Sequence, residues 1–330
     1  MRAPLPGHPA GFLGMTRYLV RRLLQSVLLL VVVSIIGFAV LNLAPGGPLA
    51  AYALNPGMTQ ADRDRLAHQL GLDQPLPVQY GRWVSGLLVG DWGRSFRDSR
   101  PVLTSIAERA PATAELMVTS TLLAVILGVL VGLLGALRRY SLFDYLATIG
   151  AMIALSLPTF WFGLMMIFLF SASLGWLPSG GITTEGDGSF PDRVRHLIAP
   201  MLVLALVTLA IWSRYTRSAM LDVVHQDYMR TARAKGLYEW AILVRHGLRN
   251  AVLPLITLAG LQLPTLFGGA LVTETVFTWP GMGRLFVDSL GYRDYPILMG
   301  TLMLTAVLVL AGSLLADLLY ATVDPRIRLD

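Results

Sequence analysis

The chain has 330 residues, a formal net charge of +6, and 55% hydrophobic against only 14% charged side chains, where soluble domains carry roughly 25% charged. A water-facing globule is excluded, because several uncharged stretches reach the ~20 residues needed to cross ~30 Å of hydrocarbon. The absence of cysteine excludes disulfides, thiolate metal sites and cysteine nucleophiles, and the basic excess forms no aromatic-interleaved stripe of the kind that grips nucleic acid.

Residues 1–14, rich in Pro and Gly, read as a disordered leader, with Met15 a possible start. Residues 15–43 form a first membrane helix: Leu23 to Leu43 is uncharged and follows Arg17, Arg21 and Arg22. A signal peptide is the rival, but its apolar region runs only about 7–15 residues. Residues 44–112 make a long outer loop with short helices. Met58 to Leu70 has a helical pattern with Thr59 as N-cap before Asp62 and Asp64. Gln79 to Val89 predicts a second helix lying on the membrane with Trp83, Leu87 and Leu88 buried. Gly90-Asp91-Trp92-Gly93-Arg94-Ser95 then supplies a glycine-hinged turn. Two readings of this loop stand open, a structural cap over the bundle and a docking surface for a soluble protein outside.

Residues 113–330 hold the core, with five more spans. Leu116 to Leu137 is the second. Tyr145 to Leu177, an uncharged run containing Pro158, counts as one long helix kinked at the proline or as a helix plus an interfacial segment. Ile198 to Ser213 is a short span, Ala251 to Thr273 contains Pro254 and Pro264, and Pro296 to Ala316 is the last. The fold class is therefore all-α, a polytopic membrane protein of six helices. The N-terminal flank, the 138–144 loop, the 214–250 loop and the C-terminal tail after Asp317 together hold fifteen Arg or Lys against six acidic residues. The positive-inside rule puts that set, and with it both termini, in the cytoplasm.

The cytoplasmic loop 214–250 is the most informative segment. Its amphipathic core reads Tyr228-Met229-Arg230-Thr231-Ala232-Arg233-Ala234-Lys235-Gly236. The small Thr231, Ala232 and Ala234 let another surface approach the backbone, and Gly236 can end a helix in the left-handed conformation. Arg230, Arg233 and Lys235 flank it, ready to meet carboxylates. A plain basic loop would explain the arginines but not the small-residue core. Lys235, the only lysine, lies between Ala234 and Gly236, so no Gly-x-x-x-x-Gly-Lys-Ser/Thr loop exists and the chain does not hydrolyse ATP.

Ionisable residues in spans are functional candidates by default. Glu115, Glu274 and Asp317 all fall near span ends, which argues against a buried proton relay and so against a secondary transporter, the rival from a different class. Glu274, with Phe277, is a candidate outer gate, against a helix-end cap or ion pair. Pro158, Pro254 and Pro264 are hinge candidates, and Gly268-Gly269 permits close helix contact. The five histidines (His8, His68, His196, His225, His246) show no metal-ligand spacing, which leaves no metal site and little support for a membrane-embedded enzyme.

The order and spacing of several short pieces resemble the first, B-type inner-membrane permease subunit of ABC importers of the dipeptide/oligopeptide/nickel family. They are Thr16-Arg17-Tyr18 to Arg21-Arg22-Leu23, Gly71-Leu72-Asp73-Gln74-Pro75-Leu76, Gln79-Tyr80, Trp83, Gly90-Asp91-Trp92-Gly93, Glu274-Thr275-Val276-Phe277, Pro280-Gly281-Met282-Gly283, Asp294-Tyr295-Pro296 and Asp324-Pro325-Arg326. The resemblance implies a type I importer permease fold and half of a translocation pathway for dipeptides or oligopeptides, or for nickel or glutathione. It also implies a second homologous permease, an extracytoplasmic substrate-binding protein and two cytoplasmic ATPase subunits that carry ATP and Mg, with no cofactor on this chain. The location implied is the bacterial cytoplasmic (inner) membrane, with lipid around a multi-pass protein. Residues 230–236 match the loop called the EAA motif, which would insert into a cleft of the ATPase. Arg230 stands where Glu is common and Thr231 replaces the first Ala, departures that the peptide subfamily shares.

Overall fold

The computed structural model describes residues 10–44, 47, 59–224, 226–236, 238, 242, 247, 249–262 and 270–323. Helix α1, Ala10–Leu43, starts five residues before the expected boundary at 15 and so takes in the end of the segment read as a disordered leader. In the outer loop, α2 covers Gln60–Leu70 and α3 covers Leu76–Leu88. Thr59 caps α2 as its sequence requires: its hydroxyl accepts from the Asp62 N–H, and the Asp62 carboxylate returns to the Thr59 backbone. Gly71 closes the same helix at φ +69°, a left-handed position open to glycine.

Helix α4, Val102–Leu137, has 36 residues and begins fourteen residues before the apolar run at Leu116. Helices α5, Leu142–Ser156, and α6, Thr159–Met166, meet at Pro158. With its π-helical continuation Ile167–Ser173, the second arm is bent from the first by 106°. The 145–177 run is thus a broken pair, far sharper than a proline kink in one helix. Helix α7, Phe190–Val224, has 35 residues and overturns the expectation of a short span at 198–213. Next come α8, Asp227–Ala234; α9, Arg249–Gln262; α10, Leu271–Val276; α11, Met282–Tyr292; and α12, Tyr295–Val323. Four described helices are long and apolar enough to cross a membrane, and the bent pair would make a fifth. The sixth expected span, 251–273, is described only as α9 and the start of α10, and Pro264 and Gly268-Gly269 lie outside the described residues.

Two compact units emerge, Met1–Ser105 with Ser289–Asp330, and Ile106–Asp288. In the first, α1 runs along α12. Gly37 permits this, because a Cβ there would overlap Leu302. Arg22 donates to Ser313 at 2.7 Å and lies 2.8 Å from the Asp317 carboxylate. Phe38, Tyr80 and Trp83 stack edge-on and tilted, tying α3 to α1. The Asp294 carboxylate accepts from the Ser95 hydroxyl and, at 3.0 Å, from the Phe96 N–H.

In the second unit α4 lies against α7 at Gly128 and Gly132, where any Cβ would overlap Trp212 or Thr216. Two small residues four apart let helices approach closely in an apolar medium. Helix α5 packs on α7 as well, and there Arg217 makes a bidentate pair with the buried Asp144 at 2.6 and 2.7 Å. The Tyr140 N–H donates to the same carboxylate at 3.0 Å, so the ion carries the extra hydrogen bond a buried pair needs.

Candidate functional site

The segment read as a docking helix is α8, separated from the end of α7 by only two residues. Its period of 3.6 sorts the side chains into two faces. Met229 and Ala232, three apart, are buried. They enter an apolar cluster with Leu133 and Ala136 of α4, Met220 of α7, Ala251 of α9 and Ile242, which precedes α9. The small Ala232 lets α8 settle closely on its own chain. The opposite face presents Tyr228, Arg230, Thr231, Arg233, Ala234, Lys235 and Gly236, all exposed. Arg230 sits 3.9 Å from Asp227 in an i,i+3 pair with both side chains in water, an arrangement worth little to stability. Gly236 follows at φ +76°, the left-handed stop that the sequence calls for.

Glu274 is fully buried. The Thr113 hydroxyl donates to its Oε1 at 2.7 Å, and the Arg284 N–H donates to Oε2 at 3.1 Å. Thr113 Oγ1 in turn accepts from the Met282 N–H at 2.8 Å. Two of the orphan N–H groups opening α11 are thereby satisfied, and a carboxylate suits the positive end of a helix. The glycines make room: a Cβ at Gly281 would overlap the carboxylate, and one at Gly283 would meet Leu271 backbone. Phe277, also fully buried, packs with Met166, Ala199 and Val203. Trp279 is buried beside Ala112 and donates to its carbonyl at 2.8 Å. Glu274 and Phe277 are therefore packed among described residues of this chain, and the contacts of Glu274 are those of a helix-end cap.

The other ionisable span residues also have partners. Glu115 is held bidentate by Arg193, and Asp317 lies 2.8 Å from Arg22 Nε as an ion pair. His196 bonds the Gly180 carbonyl through Nδ1 at 2.9 Å and lies near Thr184 and Asp192; His8, His225 and His246 lie outside the described residues. Pro158 occupies the sharp bend, whereas Pro254 sits inside α9 without breaking it. Sequence reasoning missed the Asp144–Arg217 pair, whose members are 73 positions apart. Only the lone acidic residue in the 138–144 loop signalled it.

A family model described as binding-protein-dependent transport system inner membrane component matches residues 124–329, and one for the N-terminal part of such membrane components matches residues 15–117. The oligopeptide transport system permease protein AppB of Bacillus subtilis (strain 168) is 47% identical over 316 residues, covering 95% of this chain and 100% of that protein. The dipeptide transport system permease protein DppB of Escherichia coli (strain K12) is 38% identical over 336 residues, covering 95% and 99%. Among solved structures, a chain of the MetNI methionine ABC transporter in inward-facing conformations is similar with a TM-score of 0.50 and 17% identity, over 66% of this chain and 97% of that one. That likeness is one of fold.

Proposed function

This chain belongs to the binding-protein-dependent transport system inner membrane component family and is a polytopic ABC-importer permease, a transport subunit and not an enzyme; from that premise we propose that it forms half of an inner-membrane pathway for peptides. The substrate class rests on the oligopeptide and dipeptide systems for which the relatives at 47% and 38% identity are named. A second permease completes the pathway, an extracytoplasmic binding protein delivers the peptide, and two cytoplasmic ATPase subunits carry ATP and Mg. With six spans read from the uncharged runs, the arginine distribution favours both termini and the 214–250 loop in the cytoplasm.

In this scheme α8 is the element offered to an ATPase subunit. The observation that carries the assignment is its division into two faces. Residues 228, 230, 231 and 233–236 are open to a partner, while Met229 and Ala232 are rooted among α4, α7 and α9. A displacement of α8 reaches all three helices at once, because a close-packed cluster transmits movement and does not absorb it. Pro158, at the break between α5 and α6, is the hinge that suits such movement, and Glu274 secures the start of α11.

The test is uptake of a labelled dipeptide into proteoliposomes holding the assembled transporter. Gly236→Asp is expected to abolish uptake while insertion and assembly with the second permease persist. Normal uptake by that variant at normal expression would place the coupling contact elsewhere on the chain.

A further inference from the structure

Four separated pieces of sequence, within 38–42, 71–72, 79–96 and 295–299, enclose a cavity of about 290 Å³ in the first unit. They include much of the outer-loop pattern that carries the family resemblance, and the transport reading gives them no task. The volume falls just below the roughly 300–1,000 Å³ of ordinary ligand sites, a size for an amino acid or the end of a peptide and not for a whole oligopeptide.

The lining has a definite chemistry. Phe38, Trp83 and Trp92 supply aromatic wall. Arg82 and Asp91 add one cation and one carboxylate, and both are solvent-exposed, as a rim requires. Glycines bring them there. A Cβ at Gly71 would crowd the Arg82 guanidinium, and a Cβ at Gly86 would press on Asp91. Arg82 makes no side-chain hydrogen bond or ion pair with a described residue, and Asp91 engages only the Gly93 N–H, at 3.0 Å. Tyr295 lines the cavity too. It is 8% exposed, and its hydroxyl is buried with no hydrogen-bond partner among the described residues. That hydroxyl has no accessible surface, so Tyr295 offers the cavity its ring and not its oxygen. The Gln79 amide, by contrast, is consumed by the Leu72 and Gln74 carbonyls at 3.0 and 2.7 Å and serves as wall.

We propose that this cavity binds a small zwitterion with an apolar side chain, its carboxylate toward Arg82, its ammonium toward Asp91 and its side chain among the aromatic residues. A free amino acid and the end of a short peptide share that chemistry.

The test is isothermal titration of the full chain in lipid nanodiscs with L-phenylalanine, phenylalaninamide and Ala-Phe. Phenylalanine is expected to bind saturably at one site. Loss of the ligand carboxylate, in phenylalaninamide, or of its partner, in Arg82→Gln, should each weaken binding about tenfold or more, since hydrogen bonds to charged groups contribute that much. Tyr295→Phe keeps the ring and removes a hydroxyl that the ligand does not reach, so it should leave binding unchanged and serves as the control. Ala-Phe binding with the same sensitivity to Arg82→Gln identifies a peptide end as the source; its failure while phenylalanine binds identifies a free amino acid. No saturable heat at millimolar concentrations of any probe, or binding indifferent to Arg82→Gln, overturns the assignment. Binding is read without transport, so either result leaves the importer reading untouched.

Discussion

The surroundings of Glu274 and the helix at Asp227–Ala234 are both sites that sequence singles out, and they are built in opposite ways. Around Glu274 every group is spent internally: the carboxylate on Thr113 and Arg284, the glycines on making room for it, Phe277 and Trp279 on the core. Helix α8 turns Met229 and Ala232 inward and leaves its other side chains exposed. A side chain that is polar and fully satisfied inside its own chain maintains structure. A helix anchored on one face and bare on the other is suited to receive something. The difference is legible only from burial, because both stretches look equally distinctive as strings of letters.

Substitutions sharpen that contrast, beginning with the largest effect. Glu274→Ala strands the Thr113 hydroxyl and the Arg284 N–H and opens a cavity, so a loss of about 3–5 kcal/mol is expected, read as a collapse of the thermal melt in detergent. Met229→Ala removes the buried anchor of α8 and should cost about 2–4 kcal/mol, with hydrogen exchange rising across 227–234 and uptake falling with it. Gly236→Ala meets no neighbour within 4 Å, so only the left-handed backbone opposes it, at about 1–2 kcal/mol; equal stability would show that the turn relaxes.

Arg230→Glu combined with Lys235→Glu lies wholly on the bare face and should change stability by no more than roughly 0.5 kcal/mol. Uptake and ATPase stimulation should nevertheless fall sharply. If those two readouts moved together with stability, the contrast between the regions would be lost. Smallest of all, α2 provides a control away from both. Bonds from Thr59 hold the Asp62 carboxyl below its ordinary value of 3.8. A lowered carboxyl contributes stability above its unfolded pKa and loses it as pH falls through the folded one. Protection factors over 60–70, with exchange corrected for its intrinsic pH dependence, should therefore be flat from neutral pH down to about 4 and fall only below that, and Thr59→Ala should remove the step.

Much of the fold can be read from local signals, and the failures share a cause. The Thr59 cap, the Gly236 stop and the position of the break at Pro158 are set by residues within a few positions of the event, so sequence shows them. Helix lengths were misjudged where charge was taken as an end. Arg193, Arg195, Arg214 and Arg217 bound the apolar run at 198–213, yet α7 continues through all four, because Arg193 and Arg217 find carboxylates on other helices. Glu274 pairs with Thr113 across 161 positions. Such pairings leave no periodic trace, and a single sequence does not reveal them. The angle of 106° at Pro158 is likewise a property of packing and not of the proline.

Helix α7 has 35 residues, which at ~1.5 Å each makes a rod about 50 Å long, longer than the ~30 Å hydrocarbon layer it would cross. Its tightest contact, where Gly128 and Gly132 receive Trp212 and Thr216, is not at mid-length. It lies ~15 Å from the end that carries α8 and ~35 Å from the end at Phe190. A rod pivoting there is a lever with unequal arms. One ångström of travel at the short arm becomes about two at the far arm, where Asp192 and His196 meet the 180–184 loop. In a transporter that rocked about this contact, the position of two glycines would set a gear ratio between the two ends of α7.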